Sequence, residues 1–322
     1  MKIRNRLAAP VGVLAVGALA ALAVAPAGAS SSGNHASGSH VVAGVREYGL
    51  KPIHGGIYGG SYSTQAGTPL KLSTSDKSGA VTPHPKVYLV FWGSQWSSDP
   101  AGAETALANM FTDLHGSPDT WGTVLDQYCE GLAAGTTNCG TAGNHVKHPT
   151  ASILAGVWDD NTSAEPTNAT AAQIGQEAVK AATHFGNTTQ SSNIDAQYVI
   201  ASPTGTHPDG FPNSGFCGWH NFVSSTDGKL AYTNLPYVPD LGVGACTTLS
   251  PARMIDGYES TETHEYAETV TDTWPSRGWL DTSGNEIGDK CVNLDAYLTI
   301  GTDKIDVQGI WSNKAAKCVT KG

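Results

Sequence analysis

Three short apolar runs constrain the fold of this chain more than any other feature. KVYLVFWG (86–93), bounded by Pro85 and Gly93, ASILAGVW (151–158) and AQYVIAS (196–202) are rich in β-branched and aromatic residues. Near-continuous apolar runs of this length read as strands buried on both faces. Helical patterns separate them. Ala101–Leu114 places Leu107, Met110, Phe111 and Leu114 on one face, and Trp121–Tyr128 reads as a second helix. Thr170–Phe185 carries Ile174, Ala178, Ala181 and Ala182 in one stripe and is stopped by Gly186. The order strand, helix, strand, helix, strand gives an α/β class: a single secreted domain with a mixed sheet flanked by helices. From Pro203 to Ser250 the chain is rich in Gly, Pro and aromatics, which reads as a long loop region, a cleft wall or lid. A helix over Pro251–Val270 follows, with Pro251 in its first turn and Trp274-Pro275 past its end. The remainder reads as turns and short strands.

The domain is expected over 81–322. Ahead of it, Lys2, Arg4 and Arg6, an apolar stretch over 7–24 and Ala27-Gly28-Ala29 have the form of a signal peptide over 1–29. Residues 30–80, with SSSGNHASGSH and HGGIYGGSYSTQAG, show no sustained period and read as a flexible Ser/Gly-rich lead-in or pro-segment. No later run is long and apolar enough to span a bilayer. Without the three cations of the signal the formal charge moves from −10 to −13, which argues against nucleic acid or anionic lipid as a partner. The cysteines number six, an even count that favours disulfides in an exported protein. Short loops close most cheaply, so the expected pairs are Cys129–Cys139, Cys217–Cys246 and Cys291–Cys318, bracing the long loops. No C-x-x-C spacing offers a cysteine zinc site.

The chemistry concentrates in TETHEYAE (261–268). On a helix His264 and Glu268 stand one turn apart on the same face, the spacing that lets two ligands of an H-E-x-x-H helix reach one metal. Glu keeps that spacing and stays within the ligand set of zinc, while an oxygen-rich set also admits Ca²⁺ or Mn²⁺. Glu265, about 100° further round, is placed to act as general base. A third ligand is expected from Glu286 or Asp289 in GNEIGDKC, or from Asp272. His220, in CGWH, is the remote histidine best placed to serve as a ligand or as an oxyanion donor, with Tyr258 and Tyr266 as weaker donors. The bland reading is a solvated acidic helix and ordinary hydrogen-bonded histidines. No G-x-S-x-G, G-x-G-x-x-G or P-loop appears, and no carboxylate pair is singled out for glycoside hydrolysis.

KVYLVFWG, CGWH, THEYAETVTD, EIGDKC and VQGIWSNKAAKC, in that order between Val87 and Cys318, resemble the phosphate-induced protein 1 family, which includes the EXORDIUM-like proteins. The resemblance implies an extracellular protein, associated with the cell wall in plants, and brings no substrate with it. VTDTWP departs from the family's more usual Asp-Pro after VTD.

Two functions are therefore expected. One is a secreted zinc-dependent hydrolase, an endopeptidase acting on a peptide or cell-wall-associated substrate, with His264, Glu268, Glu286 and Asp289 around the metal and Glu265 and His220 catalytic. The other is a non-catalytic extracellular protein whose acidic cluster is structural or holds calcium and whose 203–250 region contacts glycan or protein.

Overall fold

The computed structural model describes residues 40–42, 45–52 and 67–322, with side chains for Lys51 and for 67–322. The signal-peptide expectation over 1–29 lies outside the described residues. Those described belong to one compact unit spanning His35–Gly322.

A mixed seven-stranded sheet runs through the unit. In chain order its strands are β1 (His40–Val42), β2 (Val45–Pro52), β3 (Lys86–Trp92), β4 (Leu154–Asp160), β5 (Ala196–Ala201), β6 (Phe216–Ser225) and β7 (Gly228–Leu235). Their order across the sheet is β1-β2-β6-β7-β5-β3-β4. The three apolar runs form its parallel part, β4-β3-β5, and β7 pairs parallel with β5. β6, β2 and β1 extend it by antiparallel pairing.

Alternation along β3 sorts its side chains between two cores. Val87, Leu89 and Phe91 join the larger core, and Val90 and Trp92 the smaller one. α1 (Ala103–Asp113) covers the larger core, whereas α2 (Ala171–His184) inserts Ile174, Ala178, Ala181 and Ala182 into the smaller. A capping box starts α2, with Thr170 and Gln173 exchanging side-chain and backbone bonds. The expected helix over 121–128 is a short 3₁₀ turn at Gly122–Gln127.

Two expectations change. The 203–250 region is not simply loop: it holds the β6–β7 hairpin, closed at Thr226-Asp227 with Gly228 at φ 102°. The lead-in over 30–80 is in part built into the fold, since β1 and β2 belong to the sheet and Lys71–Leu72 pairs with Trp279–Leu280. VREYGLKP lacks a clean apolar alternation, and strand pairing through the backbone does not require one.

On the larger-core face lies α3 (Asp256–Thr271), which starts five residues later than Pro251 and carries the TETHEYAE motif. Every one of its residues is buried, so the solvated-helix reading is excluded. β2, β6, β7 and α1 pack on it, together with β9 (Asp303–Gln308), the second strand of a hairpin begun by β8 (Asp295–Ile300). A last pair, β10 (Ile310–Ser312) and β11 (Lys317–Val319), ends the fold. All three expected disulfides are present, which fits an oxidising, extracellular setting. Among the described residues no helix is long and apolar enough to cross a membrane.

Candidate metal centre

Acids recur every third residue along α3, at Asp256, Glu259, Glu262, Glu265 and Glu268, and so wind slowly round it. The first two are spent on structure: Arg253 donates to Asp256 at 2.6 Å and to Glu259 at 2.7 Å. The last two face a cluster that α3 builds with β6 and the 286–289 turn.

His264 and Glu268 meet as the i, i+4 spacing requires, with Nε2 3.2 Å from Oε2. His220 comes in from β6, its Nε2 3.7 Å from the same Glu268 oxygen and 3.3 Å from Glu286 Oε1. Potential ligand atoms of His220, Glu268 and Glu286 all lie within 4.8 Å of one another, and so do those of His264, Glu265 and Glu268. The two triplets share Glu268. Glu265 Oε1 stands 4.0 Å from His264 Nε2. A third grouping, Cys129, Cys139 and His145, offers no thiolates because its cysteines are bonded to each other.

The surroundings orient these side chains. Gln308, at the end of β9, accepts from His264 Nδ1 at 3.0 Å through Oε1 and donates to the Gly288 carbonyl at 2.9 Å. With its proton on Nδ1, His264 turns the Nε2 lone pair toward Glu268, the tautomer a metal ligand needs. Glu268 Oε1 accepts from the Gly288 and Asp289 amides at 3.1 and 2.9 Å, leaving Oε2 for the cluster. Close approach needs glycine at two places. A Cβ on Gly218 would stand 2.7 Å from Thr261 Cγ2, and one on Gly288 would stand 2.6 Å from His264 Nδ1.

Asp289 sits beside the cluster and not in it: its Oδ2 accepts from the Glu286 amide at 3.0 Å, and it belongs to neither triplet. Asp272 is occupied at the end of α3, accepting from the Ser276, Arg277 and Gly278 amides. Of the expected third ligands Glu286 is the one brought in, joined by His220. Tyr266 packs edge-on against Phe111, and Tyr258 lies near Tyr237, so neither phenol faces the cluster. Glu262 is fully buried with both carboxylate oxygens unpartnered.

Burial dominates the electrostatics. It lifts Glu268 to about 8 despite the two amides, and lifts Glu265, Glu286 and Asp289 well above the carboxylate range, with neighbouring carboxylates adding to the rise. Burial and then the His264 charge push His220 down to about 3. Without a cation, burial and mutual repulsion favour the protonated form of these acids. Glu268 Oε2 and Glu286 Oε1 are buried with no hydrogen-bond partner, a cost for any polar atom. A divalent cation fits either triplet: each offers one imidazole and two carboxylates, the ion would satisfy the orphaned oxygens, and two negative charges balance two positive ones in a dry site.

The cluster is closed. His220, His264, Glu265 and Glu268 have no exposed surface, and Glu286 has 2%. A surface hollow of about 420 Å³ lies elsewhere, around Met110, Arg253, Glu259 and Ile305, and includes none of them.

The functional residues that the sequence reading missed are Gln308, Gly288 and Lys51. The Lys51 ammonium is fully buried, bonding Gln308 Oε1 and Ser260 Oγ and lying 3.7 Å from Asp295. No motif marks these three; their roles arise from tertiary packing. No family model, curated protein or solved structure matches the chain.

Proposed function

We propose that the protein is an exported zinc-dependent hydrolase of the endopeptidase type. The observation that carries this reading is the pair of ligand triplets, His220–Glu268–Glu286 and His264–Glu265–Glu268, that share Glu268 and hold unpartnered carboxylate oxygens. His264, Glu268 and Glu286 would hold the ion, and His220 would either complete the set or donate to the developing oxyanion. When bound, zinc supplies Lewis acidity, lowering the pKa of water and polarising a carbonyl.

Glu265 does the proton work. Its Oε2 has no partner and is free to take a proton from water as the new C–O bond forms. The same carboxyl returns that proton to the amide nitrogen as the C–N bond breaks, and with the second water proton passing from the new carboxyl to the amine the products are a carboxylate and an ammonium group. Gln308 keeps His264 in the ligating tautomer throughout. The signal-peptide pattern over 1–29 and the three disulfides support export, and the resemblance to the phosphate-induced protein 1 family is held as a proposal of kinship.

One observation favours the second reading, a non-catalytic extracellular protein. Structural zinc sites are closed whereas catalytic ones keep a position open, and this cluster is closed. Metal analysis combined with Glu265→Gln separates the two. An enzyme keeps its metal and loses hydrolysis of an unfolded polypeptide in that variant; a structural site keeps its metal and hydrolyses nothing in either form.

A further inference from the structure

We infer that β2 (Val45–Pro52) is an internal occupant of the peptide-binding edge of this site, so that β6 is the strand along which an extended peptide substrate docks and β2 must leave before it can. The inference rests on the hydrolase reading above and adds to it a substrate class and a mode of regulation.

Position is the first ground. β6 pairs on one side with β7 and on the other with β2 alone. With β2 gone, β6 becomes a free sheet edge, the surface to which extended peptides add by backbone hydrogen bonds. β6 also carries His220 into the cluster, so a peptide lying along it passes the reacting groups. β2 runs antiparallel there, with Tyr48 opposite His220 and Lys51 opposite Gly218.

Contact is the second. The Lys51 amide donates to Glu265 Oε1 at 3.3 Å, so the group assigned to proton transfer already accepts a backbone N–H from an extended chain. The Lys51 side chain reaches Gln308 Oε1, the atom that orients His264. β2 is thus joined to the catalytic carboxylate by its backbone and to the ligand network by its side chain.

Closure is the third. No substrate reaches fully buried His264, Glu265 and Glu268 unless a covering element moves. Among the sheet strands on α3, β2 has an irregular ladder: its pairing with β6 is broken by register shifts between Tyr48 and Lys51 and between Lys51 and Pro52, whereas β6–β7 pairing is continuous. In the sequence, IHGGIYGGSYSTQA (53–66) separates β2 from the rest of the domain, so one cut there severs its covalent link without touching any described element.

The test places a specific protease site within 53–66 of the full chain. The protein is purified with zinc, and zinc content and hydrolysis of an unfolded polypeptide are measured before cleavage and after separation of the N-terminal fragment. Zinc in both forms with a rate at least tenfold higher after separation supports the inference, as does inhibition of the opened form by a synthetic Val45–Pro52 peptide competing with substrate. Tyr48→Pro, which disrupts β2 pairing in an uncleaved chain, should raise the rate in the same direction and guards against an opened form that fails to fold. Equal and measurable rates for closed, opened and Tyr48→Pro proteins, all holding zinc, overturn the inference and leave the hydrolase reading standing, whereas zinc without hydrolysis in any form overturns both. Lack of zinc in every form overturns both.

Discussion

Gly288→Ala isolates the geometry of the metal centre. Gly288 has φ −79° and ψ −42°, an ordinary right-handed conformation, so nothing in the backbone asks for glycine. An added Cβ, however, would stand 2.6 Å from His264 Nδ1 and 2.9 Å from Glu268 Oε1. Ordinary contact begins at 3.4 Å, so the imidazole must retreat by the difference, about 0.8 Å, against a tolerance of about 0.2 Å in metal–ligand distances. The shift also strains the Gln308–His264 bond. Disturbing the groups that orient a ligand lowers metal affinity about 10–100-fold, or about 1.4–2.8 kcal/mol at 1.4 per decade. Overpacking costs the metal-free fold about 1–3 kcal/mol, offset by about 0.4–1 kcal/mol from the stiffer unfolded chain. Zinc affinity is read by competition with a chromophoric chelator, and metal-free stability by urea unfolding. A variant that binds zinc within twofold of the parent would refute the reasoning, because the centre would then not lie where Gly288 meets His264 and Glu268.

Three further outcomes follow from the same contacts. Lys51→Met leaves buried Asp295 without its cation, and should lower stability by about 3–5 kcal/mol in urea unfolding; a loss under 1 kcal/mol contradicts that role. Gln308→Leu removes the acceptor for His264 Nδ1 and should weaken zinc binding about 10–100-fold by the same chelator competition, with unchanged affinity as the contrary result. Metal-free protein should become less stable between pH 6.5 and 8. Burial raises Glu165 to about 8 and Glu177 and Glu259 to about 7, so the fold holds protons that the unfolded chain releases near pH 4.5. Their contribution is complete below that pH and is lost as pH rises through 7–8. His220, depressed from 6.5 to about 3, opposes the trend only at the acid end of this interval, where the unfolded imidazole still binds about half a proton, and is outweighed by the three carboxyls. A urea midpoint that rises from pH 6.5 to 8 would contradict it.

The parallel half of the sheet was legible because KVYLVFWG and AQYVIAS carry their burial in composition, and because α2 carries its stripe and cap in local sequence. The i, i+4 relation of His264 and Glu268 was legible for the same reason: helical geometry fixes it locally. β6 was hidden among Gly, Pro and aromatic residues, although Asp227-Gly228 between FCGWHNFVSS and KLAYTNL is a hairpin signal. α3 misled in the opposite sense. A helix of Asp, Glu, Thr and Ser looks solvated, and its burial depends on partners far along the chain, such as Gln308 and Lys51. β2 was invisible because its place in the sheet, between β1 and β6, comes from backbone pairing, which leaves little mark on side-chain pattern.

The central claim is that His264, Glu268 and Glu286 hold a catalytic metal beside Glu265. Its most direct test is the zinc content of the purified protein by mass spectrometry, with hydrolysis of an unfolded polypeptide measured on the same preparations of parent and Glu265→Gln, each before and after cleavage within 53–66 and removal of the N-terminal fragment. The account predicts close to one zinc per chain in both, with hydrolysis in the parent alone. A parent that folds with its three disulfides and takes up no zinc would contradict it.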